Sequence, residues 1–464
     1  MLILIAIFAL LFLGLALWRL DRAILLTLAA LPAYLIRFKI LFLPSTFLEV
    51  MILIAFAVWF FKFFAPSLKT FFQDKTKRLN YPFKWEIILL IIIAFIAAGV
   101  SHFSSNALGI WKAYFFEPIL VFILIFNVFK EKKDWAKILW ALLISAAIVS
   151  LFAIFQEATG LFISNPLWQA LATRRAVSFF GYPNAVGLYL APLVLVFLGW
   201  LTYLPWKNWR EKIITKIIIA LTIILSLLAI YFARSTGALV GIAVALLVFA
   251  LFANRRLRLW GGSALIVVIA LLFLIAPSRH FIINKVSFQD LSGQIRKQQW
   301  KETLIMLNDG HFWLGAGLDN YQSVIAPYHK PGLFFNRDHL ANFDAQLTAI
   351  ATLRAKYWQP VEIYMYPHDI FLNFWSELGL AGLLLFVWLI VKFLIIAVKL
   401  TLSFGREKRA EKYLALGLLS AMVAIIIHGL VDVPYFKNDL AVMFWLLLAG
   451  LGYLQLIKRL EDKQ

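Results

Sequence analysis

Three side chains in this sequence suit group transfer at an anionic leaving group: His368, Arg234 and Arg296. His368 stands where a long apolar run begins, beside the unpaired N–H groups and positive dipole end of a helix. Such a field attracts anions and lowers an imidazole's pKa, leaving it neutral and able to accept a proton at pH 7. Arg234 occupies a tight turn, Ala233-Arg234-Ser235, between two apolar runs, so its charge stays near the membrane. Arg296 lies on a polar segment with helical character. Two guanidiniums suit a diphosphate because each offers paired N–H donors in a rigid fork. A lone interfacial His or Arg is ordinarily a packed residue or a snorkelling anchor, so spacing alone does not make a site of the three.

Other ionisable residues add to the pattern. Arg174, Arg175 and Asn184 flank the start of one apolar run, and Glu377 follows His368. Glu117, before Pro118, is a candidate base or, more simply, a buried partner for an arginine. His428 and Asp432, one turn apart, either share a proton or cap their span. Charged groups inside spans are costly and usually functional. Here they gather at span ends on one side, while the span centres are nearly all apolar. That points to a polar chamber opening on one leaflet, and to an enzyme rather than a transporter, which needs polar or broken helices at the midplane. His329, Asp338 and His339 match no recognised metal-ligand spacing, and no metal or other cofactor is expected. Leu314-Gly315-Ala316-Gly317 is a loop signal; it lacks the preceding strand and third glycine of a dinucleotide fingerprint.

The elements that must position these residues follow from composition. With 63% hydrophobic and 15% charged residues, the 464-residue chain is too apolar for a soluble fold. Apolar runs near 2–18, 22–36, 45–65, 86–103, 112–129, 136–156, 184–203, 213–232, 235–253, 259–277, 369–398, 412–431 and 438–457 predict an all-α polytopic membrane protein of about 12 to 13 spans, the first two of them short. The first 18 residues lack a basic n-region and a small-residue cleavage site, so an uncleaved span is expected there. Many Trp residues near span ends, Trp18, Trp111 and Trp260 among them, suit an interfacial belt.

Basic clusters recur at every second break: Arg19 and Arg22, Lys69 to Lys84, Lys130 to Lys137, Lys207 to Lys216, Arg255 to Arg258, Arg406 to Lys412, and Lys458 to Lys463. Lys and Arg in short loops face the cytoplasm, which puts the long hydrophilic segment 278–367 outside. The net charge of +20 then serves topology and anionic lipid headgroups, not nucleic acid. Without cysteine there is no disulfide, thiolate metal site or Cys nucleophile. No linker or repeat divides residues 1–464, so one membrane domain is expected, carrying 278–367 as its large extracytoplasmic loop. Within that loop the pattern predicts a helix over 294–307, stopped by Asn308-Asp309-Gly310, and a second helical stretch over about 340–356.

At these residues the sequence resembles the O-antigen ligase and O-antigen polymerase superfamily. The likeness rests on Arg175-Ala-Val-Ser-Phe-Phe-Gly-Tyr-Pro-Asn184, on Ala233-Arg234-Ser-Thr-Gly-Ala238, and on Arg296-x-x-x-Trp300 followed by Trp313-Leu-Gly-Ala-Gly317. It continues in Pro367-His368-Asp369-Ile-Phe-Leu-Asn373 and Glu377-Leu-Gly-Leu-Ala-Gly382, and is strongest over about 170–385. Asp369 replaces the usual Asn, and 330–366 resembles an insertion. The resemblance implies a glycosyltransferase-C-type fold in the cytoplasmic (inner) membrane, with its active site facing the extracytoplasmic side. It implies metal-independent, inverting transfer of an undecaprenyl-diphosphate-linked glycan to a glycan, lipid or protein hydroxyl. His368 is then the base, and Arg234 and Arg296 hold the donor diphosphate; Arg175, Arg174, Glu117, Glu377 and Asp432 are candidate supporting residues beside them. A polymerase uses the same chemistry as a ligase, and a transporter or flippase of lipid-linked glycans is the alternative from another class.

Overall fold

Backbone polar groups in hydrocarbon must pair within their own segment, and this chain meets the requirement with helices. The computed structural model describes residues 2–40, 43–67, 82–204, 209–275, 279, 283–285, 287–405 and 408–462. Among them, 8 helices are long and apolar enough to cross a membrane: Phe47–Phe64, Ser105–Val128, Lys133–Thr159, Asn184–Tyr203, Lys212–Phe232, Ile370–Ser403, Arg409–Gly429 and Asn438–Leu460. Ile3–Trp18 and Thr236–Phe252 are shorter apolar helices, as are Lys84–Val100 and Gly262–Leu274. Every expected span from 45 onward therefore coincides with a helix, but fewer reach full spanning length than the apolar runs suggest.

The expected span over 22–36 is not one helix. Leu20–Ala29 gives way to a 3-10 turn, Leu31–Leu35, because Pro32 lacks the N–H an α-helix needs. An antiparallel strand pair follows, with Arg37 opposite Thr46. Thr46 then starts the next helix through a reciprocal capping box with Glu49.

Asn184–Tyr203 forms the centre of the bundle, packed against Arg409–Gly429, Trp209–Phe232 and Thr236–Phe252. It crosses Arg409–Gly429 in direct backbone contact: a Cβ on Gly199 would lie 2.5 Å from the Tyr413 carbonyl oxygen and 2.9 Å from Gly417 Cα. Lipid gives helices no hydrophobic reason to associate, so this close small-residue packing supplies the attraction. One large buried cluster runs from Phe12 to Leu454.

Helix direction sorts the polar residues. The starts of Asn184–Tyr203, Thr236–Phe252 and Ile370–Ser403 share one end of the bundle with the finish of Trp209–Phe232 and Arg409–Gly429, as the Asn184–Asp432 and Arg175–Ala233 hydrogen bonds and the close approach of Gly237 to His428 and of Gly429 to Ile370 show. The other end carries Arg255, Arg256, Arg258, Lys408 and Lys458. Basic residues expected in 68–81, 205–208, 406–407 and at 463 lie outside the described residues.

Between these membrane helices, Leu291–Met306 is the predicted polar helix, and Gly310 (φ +88°) ends the turn after it. The stretch expected as a second helix is two short ones, Phe343–Ala349 and Ala351–Tyr357, separated by extended Ile350. A strand pair flanks them, Leu333 opposite Gln359. A small separate cluster of Met306, Leu307, Tyr321 and Ile325 holds the segment together. Residues 278, 280–282 and 286 of the expected loop lie outside the described residues.

The segment is joined to the membrane helices at Gly379, which interrupts Ile370–Ser403 with φ 73° and ψ −177°. Leu380 N donates to the Trp313 carbonyl at 3.2 Å and Ala316 N to the Ser376 carbonyl at 2.6 Å. Glu377 Oε2 accepts from the Asp319 N–H at 3.1 Å. A Cβ on residue 379 would sit 2.1 Å from the Trp313 carbonyl oxygen, so only glycine fits. The Trp313–Gly317 and Glu377–Gly382 stretches are thus two halves of one joint.

Candidate active site

A cavity of about 390 Å³ opens at the bundle end opposite the basic loops, lined by Arg175, Asn184, Arg234, Lys285, Asp290, Arg296, His428 and Asp432 among others. They come from four segments of the chain: 175–184, 234, 285–296 and 428–432. Arg175 ends the loop before Asn184–Tyr203. Its Nε donates to the Ala233 carbonyl at 3.0 Å and its Nη2 to Asn184 Oδ1 at 3.2 Å. Asn184 Nδ2 in turn donates to Asp432 Oδ2 at 3.0 Å. Arg175 therefore braces the Arg234 turn and, through Asn184, the Asp432 turn.

Arg234 itself sits in left-handed backbone, φ 51°, a conformation that costs an ordinary residue energy and marks sites held by their surroundings. Its side chain is exposed and has no hydrogen-bond or ion-pair partner among the described residues. Arg296 Nε donates to the Val431 carbonyl at 2.8 Å and Nη1 to the Ser292 carbonyl at 3.3 Å. Its remaining N–H groups have no partner among the described residues. Burial first, then the charges of Arg234 and Arg296, lower the Arg175 pKa; the three guanidiniums are close enough to repel. Asp290 is held below the usual carboxylate range: burial opposes this, but the Lys285 pair at 2.6 Å and Ser292 outweigh it. Cations outnumber carboxylates here, so the cavity favours an anion.

His368 does not line this cavity but adjoins it through Asp432 and Arg296, whose charges both act on its ring. It too is left-handed, φ 51°. It precedes the helix cap rather than starting the helix: Asp369 is the cap, its Oδ1 accepting from Leu372 N at 2.8 Å. The imidazole Nδ1 lies 3.1 Å from Gln299 Oε1. With the amide oxygen facing the ring, Nδ1 carries the hydrogen and Nε2 keeps its lone pair. Tyr364 and Tyr366 meet the ring edge-on at centroid distances of 5.0 and 5.4 Å. Burial lowers the His368 pKa, and Arg296 adds to this against the opposing charge of Asp432. Burial, the largest of these influences, favours the neutral imidazole. Burial pushes the Asp432 carboxyl up, but His368, His428, the Val433 N–H at 2.9 Å and Arg296 together hold it below its ordinary value.

The other sequence candidates lie elsewhere. Arg174 Nη1 donates to the Glu157 carbonyl at 2.8 Å and Nε to the Gln169 carbonyl, fastening a loop away from the cavity. Glu117 is fully buried with neither oxygen hydrogen-bonded; it neighbours Glu49 and Lys112 rather than an arginine. Glu377 belongs to the Gly379 joint. His329 bridges Glu302 Oε2 and the Val361 carbonyl, and Asp338 pairs with Tyr357 and Lys356. Gln299, Lys285 and Asp290 escaped the sequence reading. Gln299 alone carried a signal, standing three residues after Arg296 on the same helical face.

The fold and cavity define a multi-pass helical membrane protein with a cationic site at one end of its bundle. A model of the O-antigen ligase family matches residues 221–387. That stretch runs from the helix before Arg234 to just past the Gly379 joint and contains Arg234, Arg296 and His368. The family assignment read from the motifs is thereby supported over this part of the chain, and with it a general role in glycan transfer. No curated protein matches the chain.

Proposed function

We propose that the chain transfers an undecaprenyl-diphosphate-linked oligosaccharide or polysaccharide to a hydroxyl acceptor, as an O-antigen ligase does, at the outer face of the cytoplasmic membrane. The reading rests on one observation: two guanidiniums, Arg234 and Arg296, with donors that have no partner among the described residues, flank a cavity next to His368, whose ring Gln299 orients. In the proposed step, the acceptor O–H gives its proton to His368 Nε2 while its oxygen bonds to the anomeric carbon. The bond from that carbon to the diphosphate oxygen breaks, and the electron pair leaves with the diphosphate. Attack opposite the leaving group inverts the anomeric centre.

Arg234 and Arg296 receive the charge developing on the leaving diphosphate. Preorganised donors of this kind are commonly the largest electrostatic contribution to such a reaction. Asp432 faces the imidazolium formed during transfer and stabilises it. Residues 1–464 act in this reading as one glycosyltransferase-C-type membrane domain with 278–367 outside. A polymerase would use the same atoms with a glycan hydroxyl as acceptor.

The test is a transfer assay with the purified chain in lipid nanodiscs, a synthetic polyprenyl-diphosphate oligosaccharide, and hydroxyl acceptors of lipid, glycan and peptide type. Formation of an acceptor-linked glycan with inverted anomeric configuration supports the proposal. Donor transport across vesicles without any new glycosidic bond would replace it by the flippase reading.

A further inference from the structure

A second cavity, of about 330 Å³, lies at the opposite end of the bundle from the Arg234 site. Its charged walls are Lys84 and Glu86 at the start of Lys84–Val100, Lys392 in the long helix Ile370–Ser403, and Arg459 near the close of Asn438–Glu461. Glu86 Oε1 is committed to Lys392 Nζ at 2.6 Å and to the Trp388 indole at 2.9 Å. Lys392 also sits 5.1 Å from the Phe83 ring centroid. One cation is thus neutralised in the wall.

Lys84 and Arg459 are not neutralised. Lys84 lies over the face of Trp85, at 5.1 Å, and neither side chain has an ion pair or hydrogen bond among the described residues. Both are exposed. Around them stand apolar side chains facing outward: Trp85 is 68% exposed, Leu456 47% and Leu460 58%. An indole, two unpaired cations and a wall of exposed aliphatic groups at the end of a membrane helix together match one ligand chemistry. It has a phosphate for the cations, and acyl chains for the apolar flank.

We propose that this cavity binds the headgroup of an anionic phospholipid in the leaflet at the basic end of the bundle. Basic pockets between membrane helices are suited to phosphate headgroups, and each cation near an anionic surface adds attraction. Gln455 supplies a further polar group for a headgroup hydroxyl. The inference needs only that the helices span a membrane and does not depend on the transfer reaction assigned to the other end.

The experiment reconstitutes the full chain in nanodiscs of phosphatidylcholine with a minor share of phosphatidylglycerol, then measures retained lipid by native mass spectrometry. The wild type should retain phosphatidylglycerol in preference to phosphatidylcholine. Lys84→Gln combined with Arg459→Gln should lower that preference about tenfold, while Lys84→Arg should keep it. A double variant with unchanged preference overturns the proposal. Should the double variant not fold, the wild type decides alone, because equal retention of the two lipids also overturns it. Inorganic phosphate is added in a parallel arm. Displacement of the retained lipid by phosphate at low concentration would assign the cavity to free phosphate and reject the lipid.

Discussion

Gln299 Oε1 lies 3.1 Å from His368 Nδ1, and Gln299 stands one helical turn beyond Arg296. One face of one polar helix therefore presents a guanidinium to the cavity and fixes the tautomer of the neighbouring imidazole. If His368 is the base, Gln299→Glu should place a carboxylate against Nδ1 and favour the imidazolium. Its pKa would rise, so the acidic limb of the rate profile should move to higher pH than in the wild type. Gln299→Ala should lower kcat without that shift. A purely structural Gln299 would leave the position of the limb unchanged in both variants.

The two cavity arginines predict a different signature. Arg234→Lys and Arg296→Lys keep the charge but lose the fork, and each should reduce kcat/KM about 10²-fold or more. Membrane insertion and protein level should stay near wild type. For Arg296 some thermal stability should also be lost, because its Nε bond to the Val431 carbonyl goes with it. Rates within a factor of two of wild type in both variants would remove the clamp from the mechanism.

Gly379 gives a stability prediction independent of any chemistry. Gly379→Ala meets φ 73° and a carbonyl oxygen 2.1 Å from its new methyl. It should cost more than about 2 kcal/mol, read as a lower thermal midpoint in detergent or faster proteolysis of the 313–319 loop. Gly310→Ala, with φ +88° but open space around it, should cost only about 1 kcal/mol. Equal midpoints for both variants would show that the joint does not hold the segment.

Much of this was legible in the sequence because lipid imposes simple rules. Apolar runs of span length had to be helices, and the alternating basic breaks indicated one charged end and one chemical end. Pro32 defeated the run at 22–36, since hydropathy does not register a missing N–H. The motif glycines were legible as a pattern but not as a reason: Gly379 matters because Trp313, far away in sequence, presses its carbonyl there. Asn184 and Asp432 are 248 residues apart, and no local signal announces their bond. The partner of buried Glu117 was illegible for the same cause. A carboxylate before Pro118 says nothing about which partner the fold brings, and the fold brings Lys112 and Glu49.

The orientation proposed from the basic loops has its own test. A reporter active only in the cytoplasm should give signal when fused after Arg256 or Lys408 and none after Lys330. Signal at Lys330 would turn the cavity toward the cytoplasm and end the proposal that it works on the outer face.

The central claim is that His368 is the base, and the most direct measurement compares His368→Ala with wild type in donor binding and in single-turnover transfer. Donor affinity should stay within a few-fold, because the diphosphate contacts belong to Arg234 and Arg296, while transfer should fall by about 10² to 10⁴. In the wild type, activity should be lost only below the ordinary histidine range. The His368 pKa is lowered, so the ring stays neutral until the pH drops through that lowered value. Transfer by His368→Ala at near wild-type rate, with the acidic limb intact, would contradict the account.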